Sequence, residues 1–200
     1  MSVRKVIQAG HPSLKTKNKT LTSFNSPKLK KLIRNLKDTM YKTDLVGIAA
    51  PQIAENYMVF VTHPRNTKAR KLFKEDICRA YVNPKITKFS KGKIVIYEGC
   101  GCVAEGGIFG PVLRSKEITV EAFDESNNKF SLTCDGLLAR VIQHEYDHLM
   151  GIEFIQKVND YNKILAQTFY RKNIRNSKEQ KEASKITKIE FRDFGYGMYS

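Results

Sequence analysis

The chain has 200 residues, of which 41% are hydrophobic, and its formal net charge is +15. A chain of this length buries a sizeable core within one domain, and it has no apolar run near 18 residues, which excludes a transmembrane helix. Four cysteines without a signal-peptide pattern favour a reducing compartment, so we expect a cytoplasmic protein with no membrane partner. The excess of basic residues indicates a polyanionic neighbour.

Hydrophobic periodicity predicts one basic amphipathic helix followed by several strands. The helix covers residues 27 to 42. Residues 64 to 75 are expected to form an exposed basic loop, and the polar run at 124 to 128 suits a hairpin turn between two strands. The strands are predicted at residues 57 to 62, 80 to 88, 93 to 97, 117 to 123 and 129 to 134.

A second helix follows the last of these strands. Asp135 is its predicted N-cap, and Gly151 suits the left-handed residue that ends many helices. Apolar residues recur at helical spacing between them, so one face of this helix is expected to point into the core. Strands followed by one central helix predict an α+β fold, with antiparallel strands packed around that helix.

This central helix carries the most informative pattern of the chain, because residues 143 to 151 read QHEYDHLMG. At 3.6 residues per turn, His144 and His148 stand one turn apart on one face, where both can reach one metal ion with Glu145 beside them as a general base. The pattern is typical of a metal-dependent hydrolase. The alternative is that the histidines are packing residues, but a buried pair of imidazoles with a carboxylate is costly unless something binds them.

A catalytic site of this kind normally has three protein ligands and leaves the fourth position to water. No histidine follows the pattern, and His11 and His63 lie far upstream in unrelated contexts. Residues 98 to 102 (EGCGC) follow a predicted strand, and Cys100 is the best candidate for the third ligand. An ordinary buried cysteine is the alternative, although glycines on both sides indicate that the backbone approaches another group closely.

Three separated motifs of this chain resemble those of the peptide deformylase family. They are residues 47 to 52 (GIAAPQ), residues 98 to 100 (EGC) and residues 143 to 151, in the family's order and at its spacing. The similarity spans roughly residues 5 to 156, which we predict to be the catalytic part of a domain at residues 1 to 156. The resemblance implies a hydrolase that removes the formyl group from the N-terminal formyl-methionine of newly made polypeptides.

The resemblance also implies which residues hold the metal ion. Cys100, His144 and His148 would bind one divalent ion, with Fe²⁺ in the active form and Zn²⁺ as the alternative that ligand chemistry alone would favour. Glu145 would accept a proton from water and pass one to the departing amine.

A second group of residues is expected to act on the substrate. Gln52 and the backbone N–H of Gly101 would polarise the formyl oxygen, although a polar turn residue is the alternative for Gln52. By the same resemblance, the expected substrate-binding residues are Gly47, Ile48 and Glu98.

Four features depart from the family pattern. The family usually has Gly where this chain has Leu45, and Leu-Ser where it has Gly101 and Cys102. Residues 104 to 110 are glycine-rich and lack the arginine that often meets the peptide. These changes leave an alternative function possible. In that alternative, the chain is a deformylase-like protein that retains the metal site and binds peptide or ribosome without efficient turnover. A metalloprotease is disfavoured because no third ligand follows His148.

Cys102 stands two residues from the predicted ligand Cys100. If the segment is extended, both thiols point the same way, and Cys102 could compete for the metal or oxidise together with Cys100. The alternative, to which we give equal weight, is that Cys102 faces the core and replaces a small residue.

The balance of basic and acidic residues changes near both ends of the chain. Residues 157 to 188 contain nine Lys or Arg and three acidic residues, so residues 157 to 200 are interpreted as a basic C-terminal helix and tail. Packing on the domain and docking on ribosomal RNA are both compatible with that charge.

The acid-poor opening stretch is similar to a transit peptide, but it carries a family-like pattern at residues 8 to 14, so we assign it to the domain. Residues 191 to 199 receive no functional prediction.

Overall fold

The computed structural model describes residues 3–66, 71–72 and 74–196, apart from the side chain of residue 196. The two longest helices are α1 (Pro27–Lys42) and α2 (Gly136–Leu149), and α3 (Gln167–Phe169) and α4 (Lys178–Ser184) are short. No helix in these ranges is both long and apolar enough to cross a membrane. Single helical turns lie at Pro12–Leu14, Ala50–Ile53, Ala104–Gly106, Phe154–Lys157, Tyr161–Lys163 and Tyr170–Ile174.

The strands form two antiparallel sheets. Six strands pair in the order β1-β2-β3-β6-β7-β9, and three pair in the order β4-β5-β8. The bounds are β1 (Gly47–Ala49), β2 (Val59–Thr62), β3 (Arg79–Phe89), β4 (Lys93–Glu98), β5 (Ile108–Ser115), β6 (Glu117–Phe123), β7 (Asn128–Asp135), β8 (Leu165–Ala166) and β9 (Ile189–Tyr196).

The α+β class is confirmed, and so is the position of α1. Each of the five predicted strands is present within two residues of its predicted ends, as β2, β3, β4, β6 and β7. The sequence did not predict β1, β5, β8 and β9. The strands β1 and β8 are too short to show periodicity, and β5 contains Gly110 and Pro111, residues that weaken a strand signal. The predicted basic loop at 64 to 75 lies partly outside the described residues.

Helix α2 lies between the two sheets. Its apolar residues Leu138, Ile142 and Leu149 belong to one core cluster with residues of β6 and β7 in the larger sheet. On another side of the helix, Arg140 donates hydrogen bonds to the carbonyl oxygens of Ile94 and Val112, in the smaller sheet. The strands therefore pack around α2, and both sheets determine where its side chains point.

Asp135 precedes α2 at the N-cap position, but its carboxylate makes no capping hydrogen bond to the helix. It accepts hydrogen bonds from the backbone N–H groups of Thr187 and Lys188 instead, at 2.7 and 2.9 Å. The next residue, Gly136, has a φ of +56° and lies directly against the carbonyl of Lys185, where no Cβ fits. The predicted N-cap position of Asp135 is confirmed, but its carboxylate binds the C-terminal segment and not the helix.

The C-terminal segment is integrated into both sheets. β8 pairs with β5, and β9 pairs with β7 along the edge of the larger sheet. Between these strands, the Tyr170 ring stacks on Phe109 with ring centroids 3.9 Å apart, and the Gln180 amide bonds both backbone groups of Tyr97. The helix predicted here is present only as short pieces, and part of the tail without a predicted element is β9.

Candidate active site

Helix α2 brings two predicted metal ligands onto one face, and the turn after β4 brings the third. The imidazole rings of His144 and His148 have their centroids 5.0 Å apart, and Cys100 Sγ lies 3.2 Å from Nε2 of His148. One donor atom from each of the three residues falls within 4.8 Å of the others. Cys100 and His148 are 3% and 1% exposed. The structure therefore brings Cys100 to two histidines from which the sequence separates it by more than forty positions.

This donor set fits a divalent metal ion. Two imidazoles and one thiolate are ligands of Zn²⁺ and of Fe²⁺, and three protein ligands leave a coordination position for water or substrate. Burial and the neighbouring His144 hold the pKa of His148 well below its usual range, so its imidazole is neutral, as a ligand must be. The Cys102 thiol and burial raise the pKa of Cys100, and a bound cation would reverse this by deprotonating the thiol.

Glu98 orients one of the ligands. Its carboxylate lies 2.9 Å from Nδ1 of His144, which leaves Nε2 of that ring for the metal. The same carboxylate accepts hydrogen bonds from Arg114 and Arg140, each as short as 2.7 Å. Burial raises the pKa of Glu98, but Arg114 and His144 outweigh burial and hold it well below its usual range. Although we expected Glu98 to contact substrate, its buried carboxylate lies against His144 and the two arginines.

Glu145 lies on α2 beside the ligands. Its side chain is 4% exposed, and its Oε2 atom has no hydrogen-bond partner among the described residues. Burial raises the pKa of this carboxyl group to about 7, which a nearby metal cation would lower. A Cβ at position 47 would lie 2.6 Å from Oε1 of Glu145 and 2.5 Å from Val141. Only glycine at position 47 therefore lets β1 pass so close to this carboxylate.

Gln52 places its amide next to the thiol of Cys100, one of the predicted metal ligands. Its Oε1 accepts a hydrogen bond from the backbone N–H of Ala49 at 2.6 Å, which fixes the orientation of the amide. Its Nε2 then lies 3.6 Å from Sγ of Cys100 and 3.5 Å from Sγ of Cys102. The side chain is 2% exposed. Gln52 therefore points an N–H donor into the space beside the metal ligands.

The residues predicted to contact substrate have different placements. The side chain of Ile48 is fully buried in the core, so only its backbone can meet a ligand. Both Gly47 and Ile48 belong to β1, which forms one edge of the larger sheet and is paired there with β2. Gly101 lies in the turn after Cys100, and its carbonyl accepts a hydrogen bond from Gln8 at 2.8 Å.

Sequence analysis did not predict a role for three charged residues that lie behind the ligands. Arg114 and Arg140 are 7% and 4% exposed, and Asp147 pairs with Arg114. The sequence did contain a signal for Arg140. This residue interrupts the apolar face of α2, where a charged residue is rarely buried without a partner. The sequence could not show that this partner is Glu98.

An α+β fold in which a cysteine from a strand end meets two histidines of the central helix defines a class of candidate metalloenzymes. The family model described as polypeptide deformylase matches residues 3–163. The peptide deformylase of Christiangramia forsetii is 36% identical over 170 residues, which cover 82% of this chain and 85% of that protein. A crystal structure of class I type b peptide deformylase from Acinetobacter baumannii with Met-Ala-Ser bound has a TM-score of 0.75 and 30% identity, covering 79% of this chain and all of that chain.

The chain belongs to the polypeptide deformylase family. Its similarity to the chloroplastic peptide deformylase 1B of Solanum lycopersicum is also 36%, over 78% of this chain and 53% of that protein. The chain thus spans about half the length of the plant relatives that it matches.

Proposed function

We propose that this protein is a metal-dependent hydrolase that removes the formyl group from the N-terminal formyl-methionine of newly made polypeptides. The observation that carries the proposal is the convergence of Cys100, His144 and His148 with Glu145 and Gln52 around one buried point. Family membership supports the same reaction.

The side chains have distinct tasks in this reaction. When a metal ion is bound, it polarises the formyl carbonyl and lowers the pKa of water. Oε2 of Glu145, which has no partner within the described chain, accepts the proton of the attacking water and delivers a proton to the departing amine. The Gln52 amide and the backbone N–H of Gly101 donate hydrogen bonds to the formyl oxygen as its negative charge grows. Glu98 keeps Nε2 of His144 directed at the metal.

The peptide is expected to bind in extended form along β1. An edge strand offers unpaired backbone groups to an added strand, and Gly47 and Ile48 lie on the edge strand β1. This placement supports their predicted role in substrate binding through the backbone. The tripeptide Met-Ala-Ser bound to the Acinetobacter baumannii relative has the size and termini of the product of such a reaction.

We infer one metal ion per chain, Fe²⁺ in the active form and Zn²⁺ as the form most easily isolated. The ligand set is compatible with both, and the family resemblance favours iron. The thiolate of Cys100 requires a reduced cysteine, which is consistent with the cytoplasmic location that we propose.

A second candidate function is peptide binding without efficient turnover. It stays possible because Gly101 and Cys102 depart from the motif that the chain otherwise resembles. The deciding experiment measures formate released from formyl-Met-Ala-Ser by anaerobically prepared protein, with acetyl-Met-Ala-Ser as the substrate control and Glu145→Gln as the protein control. Formate release by the wild type but not by Glu145→Gln supports the hydrolase. Binding of the peptide without formate release would favour the second candidate.

We further propose that residues 1 to 156 supply the catalytic parts and that the basic residues of 157 to 200 contact ribosomal RNA. Exposed basic side chains support this contact, among them Arg171, Lys172, Lys178 and Lys181. The segment also packs on both sheets, so it would bring the ribosome to a fixed side of the domain.

A further inference from the structure

Gly99, the residue just before the predicted ligand Cys100, lies against an aromatic ring. A Cβ at position 99 would be 2.7 Å from Cζ of Phe109 and 2.9 Å from the carbonyl oxygen of Ile108, so only glycine lets the backbone come this close. At Gly101, the nearest neighbours of a Cβ would be 3.6 Å away, which is ordinary van der Waals contact. The close approach predicted from the glycines on both sides of Cys100 thus holds for Gly99 only.

The Phe109 ring is held in place by the C-terminal segment. Tyr170, which is 5% exposed, stacks on it with the ring centroids 3.9 Å apart and the ring planes 8° from parallel. The Tyr170 hydroxyl accepts a hydrogen bond from Nε2 of Gln180 at 3.4 Å. The Gln180 amide also bonds the backbone N–H and carbonyl of Tyr97 in β4, at 3.2 and 3.3 Å. Because buried rings packed this closely restrict each other, Tyr170 limits where Phe109 can go.

The loop between β4 and β5 (residues 99 to 107, the ligand loop) carries Cys100 and is held at its other end too. The backbone N–H of Gln167 donates a hydrogen bond to the carbonyl of Gly107 at 2.8 Å. The side-chain amide of the same residue donates to the carbonyl of Gly106 at 2.9 Å. The C-terminal segment therefore contacts the ligand loop where it ends, and the strand and ring that border it.

We propose that Tyr170 is a positioning residue, which acts through Phe109 to hold the ligand loop and thereby the thiol of Cys100. This inference rests on the metal site of the proposed function. His144 and His148 stand on one helix, which fixes them relative to each other, whereas the third donor stands on a loop. The position of that loop decides whether the three donor atoms meet, so the packing that supports it sets the geometry of the site. Tyr170 lies beyond the residues 3–163 that match the family model.

The first test compares Tyr170→Leu with Tyr170→Phe in the full-length, metal-free protein. Cys100 is 3% exposed, so iodoacetamide reaches its thiol only when the ligand loop opens. Tyr170→Leu should speed the alkylation of Cys100 by about tenfold, the factor that corresponds to the loss of one aromatic stacking contact. Tyr170→Phe keeps the ring and loses only the hydrogen bond to Gln180, so it should react at the wild-type rate. Mass spectrometry with peptide fragmentation measures alkylation at Cys100 separately from the other thiols.

Two controls separate opening of the ligand loop from a general loss of stability. Phe169→Leu removes the ring of the preceding residue, which is 53% exposed, and should leave the alkylation rate of Cys100 unchanged. Cys134 is an internal control, because it is buried in a different core cluster. Equal acceleration at Cys100 and Cys134 in Tyr170→Leu would overturn the inference, and so would equal rates at Cys100 in Tyr170→Leu and Phe169→Leu.

The second test measures binding of Co²⁺, whose visible absorption depends on the number and arrangement of its ligands. Tyr170→Leu should bind Co²⁺ about tenfold more weakly than the wild type and show weaker thiolate-to-cobalt absorption, because the loop that carries the thiol loses its support. Tyr170→Phe should restore both values. An unchanged spectrum and affinity in folded Tyr170→Leu would make Tyr170 a packing residue only.

A further variant serves if Tyr170→Leu fails to fold. Gln167→Ala removes the side-chain hydrogen bond to Gly106 at the end of the ligand loop. It should speed the alkylation of Cys100 and weaken the thiolate-to-cobalt absorption in the same direction. Wild-type values of both quantities in Gln167→Ala would then overturn the inference.

Failure of the proposed function can be distinguished from failure of this inference, because neither test requires turnover. If the wild type releases no formate but Tyr170→Leu opens the ligand loop, the proposed hydrolase is wrong and the positioning role of Tyr170 stands. If the wild type releases formate and Tyr170→Leu behaves like Phe169→Leu, the hydrolase stands and the positioning role is wrong.

Discussion

Nδ1 of His144 lies 2.9 Å from Oε2 of Glu98, and this contact connects the metal ligands to the buried charges behind them. Glu98 also bonds Arg114 and Arg140, so one carboxylate is shared by a ligand and two guanidinium groups. The ligand geometry therefore depends on residues that do not touch the metal.

Glu98→Gln should weaken metal binding by about 10- to 100-fold, because His144 loses the carboxylate that orients it. The free energy of unfolding should fall by about 3 kcal/mol, since buried Arg140 loses its counter-charge and buried Arg114 keeps only Asp147. Competition with a chelator measures the first quantity and denaturant unfolding of the apo-protein the second. The exposed ion pair of Glu121 with Lys129 provides the control, because Glu121→Gln should change stability by less than about 1 kcal/mol. Equal metal affinity of Glu98→Gln and wild type would remove Glu98 from the orienting role.

Glu145→Gln should keep the metal and lose turnover by about 10²- to 10⁴-fold, because the amide has the shape of the carboxylate but cannot accept the proton. Cys100→Ala and His148→Ala should instead lose metal along with activity. Metal analysis and formate release on the same preparations separate the two effects. Turnover of Glu145→Gln at the wild-type rate would refute the assignment of the base.

Removing the metal with a chelator should lower the Tm, because an ion that binds only the folded chain stabilises it. Returning Fe²⁺ under anaerobic conditions should restore the highest activity, and Zn²⁺ should restore the Tm with lower activity. Metal content, Tm and formate release are measured for each form. Fresh protein without stoichiometric metal in either aerobic or anaerobic preparations would contradict the site.

Cys102→Ser should lose metal and activity more slowly in air than the wild type. The segment turns at Gly101 and Cys102 and is not extended, yet both thiols lie within 3.6 Å of the Gln52 amide. Oxygen could therefore take two electrons from the adjacent thiols and join them as a disulfide, which would remove the ligand Cys100. Cys134→Ser is the control, because Cys134 is equally buried in a different core cluster. Identical rates of loss in air for Cys102→Ser and wild type would leave Cys102 as a packing residue.

Binding to ribosomes should weaken when Lys172, Lys178 and Lys181 are replaced together by Gln, and the loss should be greatest at low salt. Truncation is unsuitable here, because removing the segment also removes β8 and β9. Co-sedimentation with ribosomes across a salt series measures the effect. The exposed residues Lys85, Lys88 and Lys91 provide a charge-matched control triple. If the two triple variants bind alike, the C-terminal segment has no specific part in docking.

The sequence alone predicted the elements whose signals are local. Hydrophobic periodicity located α1 and five strands, since the pattern repeats within each element. The spacing of His144 and His148 placed both on one face of α2, because helix geometry alone determines that relation. The family-like motif at 98 to 100 added Cys100, which no local periodicity could connect to the helix.

Only the tertiary structure decided which distant groups meet. Asp135 binds the backbone of Thr187 and Lys188, 52 and 53 residues away in sequence, where local pattern predicted a helix cap. Glu98 meets His144, Arg114 and Arg140 because α2 passes between two sheets, and the packing of sheets leaves no mark on local sequence.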